Sequence, residues 1–333
     1  MKNKILSGVI GLGVGEKHLI ALKNSKNSIV KYACDFNKKK INFLKSKYPK
    51  IKFIKNENKI FRDKFINLVS IASYDNYHFK QVLKAIKYKK NIIIEKPICL
   101  SENELKKIKT QLRKNPEVKI TSNLVLRTLD VFKNLKKKIT NKSIRNPYYI
   151  EADYLWGRKY KLFGWRSKIN NYSLVHGAAI HMIDLIMWLI NDRPIKVTTY
   201  GNKIITKNSA FKKNSFVILI LEFSNGIIVK ITANGVCVYP HFHELKIYSK
   251  NKTIIHSYKK SFELNDHKSV QKKLDGKYPD KKNRKEIIDS FVNALKNKKA
   301  ESIVTKKDVL DVMSVCIAAE KSLKLSKSIK IKY

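Results

Sequence analysis

Ile10-Gly11-Leu12-Gly13-Val14-Gly15 decides how the first half of this chain folds. The apolar run at residues 5–10 reads as a short strand. Gly11 permits the tight turn that ends it, and Gly13 carries no Cβ to bar a phosphate from the backbone. Val14 and Gly15 lead into a helical stretch at residues 16–22, whose first amides and dipole favour an anion. Further along, Tyr32-Ala33-Cys34-Asp35 ends a second apolar run in a lone acid, placed to accept hydrogen bonds from adenosine ribose hydroxyls. This is the layout of a dinucleotide site, and NAD is the expected cofactor. A carboxylate at Asp35 repels a 2′-phosphate, so NADP is disfavoured, although Lys38, Lys39 and Lys40 soften that preference. One departure is visible: Glu16 stands where a third glycine is usual, with Gly15 one place early.

Outward from the turn, short apolar strands alternate with helical stretches. Strands read at residues 5–10, 29–34, 68–72, 91–94 and 118–121, and helical spacing at 79–86 and 102–112, give an α/β class with a doubly wound parallel sheet of Rossmann type. From residue 122 the pattern changes to longer strand-like runs at 148–156, 216–223 and 227–233. Ser224-Asn225-Gly226 marks a hairpin between the last two. Helices read at 180–191, 285–295 and 307–323, and the lysine-rich stretch 133–142 as a solvated helix face and loop. The expected division is a NAD-binding domain at 1–121 and a substrate domain at 122–333, the second built on a mostly antiparallel sheet.

Composition narrows the function classes. No apolar run approaches the ~20 residues of a membrane span. Met1-Lys2-Asn3-Lys4 before an apolar stretch imitates a secretory signal, but that reading would discard the first strand of a coherent nucleotide fold. Cys34, Cys99, Cys237 and Cys316 lie far apart, with neither a Cys-x-x-Cys pair nor metal-like clustering, and read as thiols of a reducing cytoplasm. The net charge of +45 raises nucleic acid as a partner. Against it, arginine, the residue that grips phosphate and guanine, occurs eight times, and the lysines are scattered over the whole length. Abundant Lys, Ile and Asn fit the codon bias of an AT-rich genome. No specific nucleic-acid partner and no metal is expected.

Ile92-Ile93-Ile94-Glu95-Lys96-Pro97 is the second informative segment: a buried strand ending in an acid, a base and a proline. Ligands of doubly wound sheets bind beyond the carboxyl ends of the strands, which puts Lys96 beside the nicotinamide. With Gly11-x-Gly13 and His18, Ile71-Ala72-Ser73 leading to His78, Asn123 with Arg127, His181-x-x-Asp184 and Gly164-Trp165-Arg166, the chain resembles the Gfo/Idh/MocA oxidoreductases over nearly its whole length.

That resemblance implies a substrate cleft between the domains and an open C-terminal sheet used for assembly as a homodimer or homotetramer. It implies a secondary hydroxyl of a sugar or sugar nucleotide as substrate, with Lys96 holding that hydroxyl and His181 accepting its proton. Asp184, on the same helical face as His181, would orient substrate or imidazole. Ser73, His78 and Glu95 fall near the cofactor, and Asn123 and Arg127 near the substrate. A histidine with an ordinary pKa near roughly 6.5 suits proton uptake, while the cofactor carries the redox step. Many family members place an acid four residues before the histidine and a glycine two before it; this chain has Gly177 and Ala179. Either His176, one place from the missing acid, takes part of its role, or Lys96 and His181 work without it, or the activity is altered.

Other candidates are Arg158, Trp165 and Arg166, which suit stacking and bidentate contacts to a sugar ring or diphosphate. In Tyr239-Pro240-His241-Phe242-His243 the two histidines share one strand face, and a structural use is favoured over metal binding, for which a third ligand is missing. Two other functional readings use the same residues. In one, oxidation is transient and drives a redox-neutral hydrolysis or elimination; in the other, the protein binds NAD without turnover.

Overall fold

The alternation of apolar strands and amphipathic helices closes into a six-stranded parallel sheet. It uses β1 (Ile5–Ile10), β2 (Ser28–Cys34), β3 (Lys52–Ile54), β4 (Leu68–Ile71), β5 (Asn91–Ile94) and β6 (Ile120–Ser122), in the order β3-β2-β1-β4-β5-β6. The order reverses direction at β1, the point where open α/β sheets bind their ligands. The computed structural model describes residues 4–278, 283–297 and 299–333. Between the strands run α1 (Gly15–Asn24), α2 (Lys38–Lys47), the short α3 (Asn58–Arg62), α4 (Asp75–Lys87) and α5 (Glu102–Lys114). Side-chain caps set two of these starts, Asn37 accepting from Lys40 N for α2 and Ser101 from Glu104 N for α5.

The chain divides into two compact units, Met1–Thr128 with Lys281–Leu310, and Leu129–Asp280 with Asp311–Tyr333. The first unit thus takes in a late segment that the expected single cut at 121/122 leaves with the second. The physical reason is apolar: within α8 (Asn283–Lys296), Ile288, Phe291 and Val292 join the core formed by Val9, Leu12, Leu19 and Leu22 of the glycine turn and α1.

The second unit opens with α6 (Asp130–Thr140), which carries most of the lysine-rich stretch, and continues through β7 (Pro147–Leu155) and α7 (Ile180–Ile190). Strands β8 (Pro194–Asn202), β9 (Phe216–Phe223), β10 (Ile228–Asn234), β11 (Phe242–Ser249), β12 (Thr253–His256), β13 (Ser261–Leu264) and β14 (Lys272–Lys273) follow. The long α9 (Lys306–Leu325) and β15 (Ile329–Lys330) end the chain. The nine-stranded sheet runs β14-β13-β12-β11-β7-β10-β9-β8-β15 and is antiparallel except where β7 lies parallel to β10. Ser224-Asn225-Gly226 turns β9 into β10 as expected, with Gly226 at φ 85°. Alternation along β9 buries Val217, Leu219 and Leu221 on one face and leaves Ile218, Ile220 and Glu222 half-buried on the other. Helix α7, apolar nearly all round, is buried along most of its length and ends at Asn191, which takes the left-handed conformation of a C-terminal cap.

Candidate active site

In the first unit the glycine turn is a cradle with room in it. Gly11 has φ +81°, and a Cβ there would lie 2.5 Å from Ala72 O, so the turn requires glycine. A Cβ on Gly13 would meet nothing within 4 Å, the open approach that a pyrophosphate needs. A Cβ on Gly15 would come within 3.1 Å of Ala72 Cβ, so this residue does the close helix-to-strand packing expected of the third glycine. Val14 stands at the N-cap of α1 without a side-chain capping bond, which leaves first-turn amides for an anion. These features fit a dinucleotide.

Asp35 follows β2 and ties the turn down: Leu12 N donates to Oδ2 at 2.6 Å and Asn37 N to Oδ1 at 2.8 Å. The sequence leads to the expectation of a ribose acceptor there; what the structure shows is a backbone clamp. Beside it, Phe36 and Tyr74 are exposed aromatics with ring centroids 6.0 Å apart, a pair that composition does not reveal.

Beyond β4, β5 and β6 the remaining residues converge. Ser73 Oγ donates to Gln81 Oε1 at 2.6 Å. His78 is fully buried in α4, with Nδ1 2.7 Å from Pro97 O and Nε2 3.1 Å from Ser73 O, so it links the two loops that follow β4 and β5. Glu95 Oε1 accepts from Asn123 Nδ2 at 2.6 Å and from His18 Nε2 at 3.1 Å, and Arg284 Nε lies 3.7 Å away. Burial acts to raise the Glu95 pKa, but the His18 bond and charge, then Arg284 and Asn123, outweigh it and hold the carboxyl down to about 2. Lys96 is therefore carried between two anchored neighbours, Glu95 and Pro97. Asn123 is in this group, but through its bond to Glu95. Arg127, expected at the substrate, is buried and gives its guanidinium to Asp308 at 3.1 Å and to Ile303 O at 3.2 Å.

In the second unit, His181 lies in the first turn of α7 and stacks on Tyr154 of β7, with centroids 5.8 Å apart at 12°. The β7–β11 register sets His243 opposite Tyr154, so its ring also comes within 6.3 Å of His181. His241 reaches Tyr154 at 5.4 Å, and its Nδ1 approaches Trp156 O at 3.1 Å. Burial pushes the Tyr154 phenol up to about 12; for His241, burial and then Arg158 lower the pKa. The pair His241 and His243 thus packs around Tyr154, with His243 also reaching His181. Asp184 is buried one turn along α7. His176 is buried in the turn before α7, with Nδ1 3.1 Å from Ser173 Oγ, an interior histidine. Arg158 is exposed, whereas Arg166 lies 4.2 Å over the Trp165 ring and donates to Lys161 O at 3.3 Å. Among the described residues, no group of three or more His, Cys, Asp or Glu side chains is placed to hold a metal ion.

A nucleotide cradle in a parallel sheet, with an anchored lysine beyond its carboxyl edge, defines a NAD-binding oxidoreductase unit. The chain belongs to the GFO_IDH_MocA oxidoreductase family: the NAD-binding Rossmann model matches residues 5–122 and the C-terminal alpha/beta model residues 136–331. Among curated relatives it is 28% identical to Oxidoreductase P35 of Formosa agariphila over 56% of this chain and 60% of that protein. It is 22% identical to Myo-inositol 2-dehydrogenase of Thermotoga maritima over 72% of each. The match thus spans less than two thirds of the first relative. Its fold is shared with the crystal structure of scyllo-inositol dehydrogenase from Lactobacillus casei, with bound NAD(H) and scyllo-inositol, at TM-score 0.82 and 15% identity over 98% of this chain and 99% of that one.

Proposed function

We propose that this protein is a NAD-dependent dehydrogenase that oxidises a secondary hydroxyl of a cyclic polyol, sugar or sugar nucleotide, or reduces the matching ketone. The observation that carries this reading is the anchored Glu95-Lys96-Pro97 segment beyond β5, in a chain of this oxidoreductase family. The inositol dehydrogenases among its relatives support a polyol-like substrate.

Bound NAD would supply the hydride acceptor. Gly11, Gly13, Val14, Gly15, Asp35, Ser73 and His78 are proposed to hold it, with Asp35 favouring NAD over NADP. Lys96 donates a hydrogen bond to the reacting oxygen, and His181 receives the hydroxyl proton on an imidazole nitrogen. Asp184 orients the substrate or the His181 imidazole, and Arg158, Trp165 and Arg166 bind outlying hydroxyl or phosphate groups. The test is NADH formation from NAD with myo-inositol, scyllo-inositol and a set of sugar nucleotides. Lys96→Ala should abolish turnover and leave NADH binding largely intact; unchanged turnover in that variant overturns the assignment.

The second unit's sheet is proposed to pair copies of the chain as a homodimer or homotetramer. Support comes from its half-buried face, where Tyr149 stacks on Tyr248 at 5.8 Å and Lys230 and Lys246 bracket Glu151 at 3.0 and 3.4 Å. Light scattering on a Tyr149→Glu variant tests it, a persistent oligomer counting against this face. The four free thiols support a cytoplasmic location. In the described residues no helix is long and apolar enough to cross a membrane.

A further inference from the structure

His181 follows a π-helical turn, Val175–Ala179, that leads straight into α7. In that turn Gly177 has a neighbour where its side chain would be. A Cβ built on Gly177 would overlap the Tyr172 hydroxyl and lie 2.7 Å from Cζ of the same ring. The phenol therefore occupies the space into which any residue 177 side chain would project.

That space lies four residues, one helical turn, before His181. Residues four apart on a helix have Cβ atoms about 5–6 Å from one another, and helical side chains tend to lean back toward the N-terminus, which sets residue 177 and His181 side by side on one face. The Tyr172 hydroxyl arrives on this shared face from outside the helix. Its ring is fixed there: Tyr172 is 3% exposed, meets Phe211 edge-on at 5.9 Å and Trp165 at 6.3 Å, and has the Arg166 guanidinium 6.0 Å over it. From β7, Tyr154 sets the plane of the imidazole by stacking.

We propose that Tyr172 is the positioning residue of His181, its hydroxyl providing from an adjacent loop the polar atom that Gly177 lacks. The proposal rests on the reading above in which His181 takes the substrate proton. A neutral hydroxyl does here what a carboxylate at 177 would do with a charge, and glycine at 177 is the condition for it, because every larger residue displaces the phenol.

Tyr172→Phe keeps the ring and removes only the hydroxyl. The expected result is a kcat lowered by about 10- to 100-fold, with KM for NAD and melting temperature unchanged. A kcat equal to the parent's overturns the proposal, as does a loss of kcat that comes with a lower melting temperature and weaker NADH binding. Tyr172→Leu with Gly177→Asp supplies a polar group from the helix itself, and its kcat should exceed that of Tyr172→Leu alone; a lower value contradicts the shared position. The His181 ring resonances of isotope-labelled protein, assigned with His181→Gln, provide a readout without turnover. If they move in Tyr172→Phe while the parent turns over none of the substrates tried, the proposed reaction is wrong and the positioning stands. If the parent is active and they stay still, the positioning is wrong and the reaction stands.

Discussion

Asn123 Nδ2 and His18 Nε2 meet on a single oxygen of Glu95, at 2.6 and 3.1 Å. With a carboxylate as its acceptor, Nε2 carries a proton, and Nδ1 pairs with Ser70 Oγ at 2.8 Å. The chain of bonds runs from β4 through α1 to the residue after β5 and on to the residue after β6. It ties the helix that would receive phosphates to the strand end that carries Lys96.

Removing one donor from this chain should loosen Lys96 more than it loosens the fold. For Asn123→Ala, loss of a hydrogen bond to a charged acceptor costs about 1.5–3 kcal/mol. The expected kinetic result is kcat reduced about tenfold with NADH binding nearly unchanged. Steady-state kinetics beside a urea titration separates the two effects, and an unaltered kcat would reduce the network to a purely stabilising role.

The two glycines of the turn should respond in opposite ways. Gly11→Ala forces a side chain into φ +81° and against Ala72 O, so it should lower stability by roughly 1–3 kcal/mol. Gly13→Val projects into open space and should leave the melting temperature where it is, while weakening NADH about tenfold or more. Intrinsic fluorescence during thermal melting and NADH titration reads both. Tight NADH binding by Gly13→Val would remove the pyrophosphate from this turn.

Much of this half of the molecule was legible because its signals are local. Gly11, Gly13 and Asp35 are defined by strand, turn and helix over a few tens of residues, and the strand at 91–94 matches β5 end to end. The hairpin at Gly226 was legible for the same reason. Strand β3 was missed because it is only three residues long and carries no alternation. What sequence periodicity cannot show is which partner a polar side chain chooses. Arg127 is near Asn123 in the chain, yet Asp308 claims it from 181 positions away. Likewise, His243 meets His181 only through the pairing of β11 with β7, and Tyr172 meets Gly177 only because a loop folds back on the turn. The return of α8 to the first unit's core rests on Ile288, Phe291 and Val292, whose spacing reads as an amphipathic helix without saying which sheet it covers.

Arg127→Met discriminates between an internal and a substrate-gripping arginine. Burial acts to raise the Asp308 pKa, but the charge and bond of Arg127, with bonds from Thr305, bring it below its usual value. A carboxylate so depressed stabilises the fold above its ordinary value of 3.8, and that contribution fades as pH falls through the folded value. The variant should be less stable by about 2–4 kcal/mol at neutral pH, with the gap narrowing in acid, and its KM should stay that of the parent. A raised KM at unchanged stability would return Arg127 to the substrate.

His256 gives the second unit its own acid sensitivity. Its ring is ringed by Phe132, Phe242 and Tyr278 at 5.4, 5.0 and 5.0 Å, its Nδ1 lies 2.8 Å from Ser261 Oγ, and burial lowers its pKa from 6.5 to about 4. Because the folded value is the lower one, the unfolded chain takes up the proton first. Stability is therefore complete above the ordinary histidine value and declines as pH falls from 6.5 toward 4. The full span corresponds to a loss of about 3 kcal/mol. His256→Leu gives up the bond to Ser261, about 1 kcal/mol at neutral pH, and also the titration. Urea midpoints measured at neutral pH and at about pH 5 should thus show the parent losing stability over that interval and the variant losing less of it. Equal slopes for the two proteins would mean that the imidazole is already charged inside the fold.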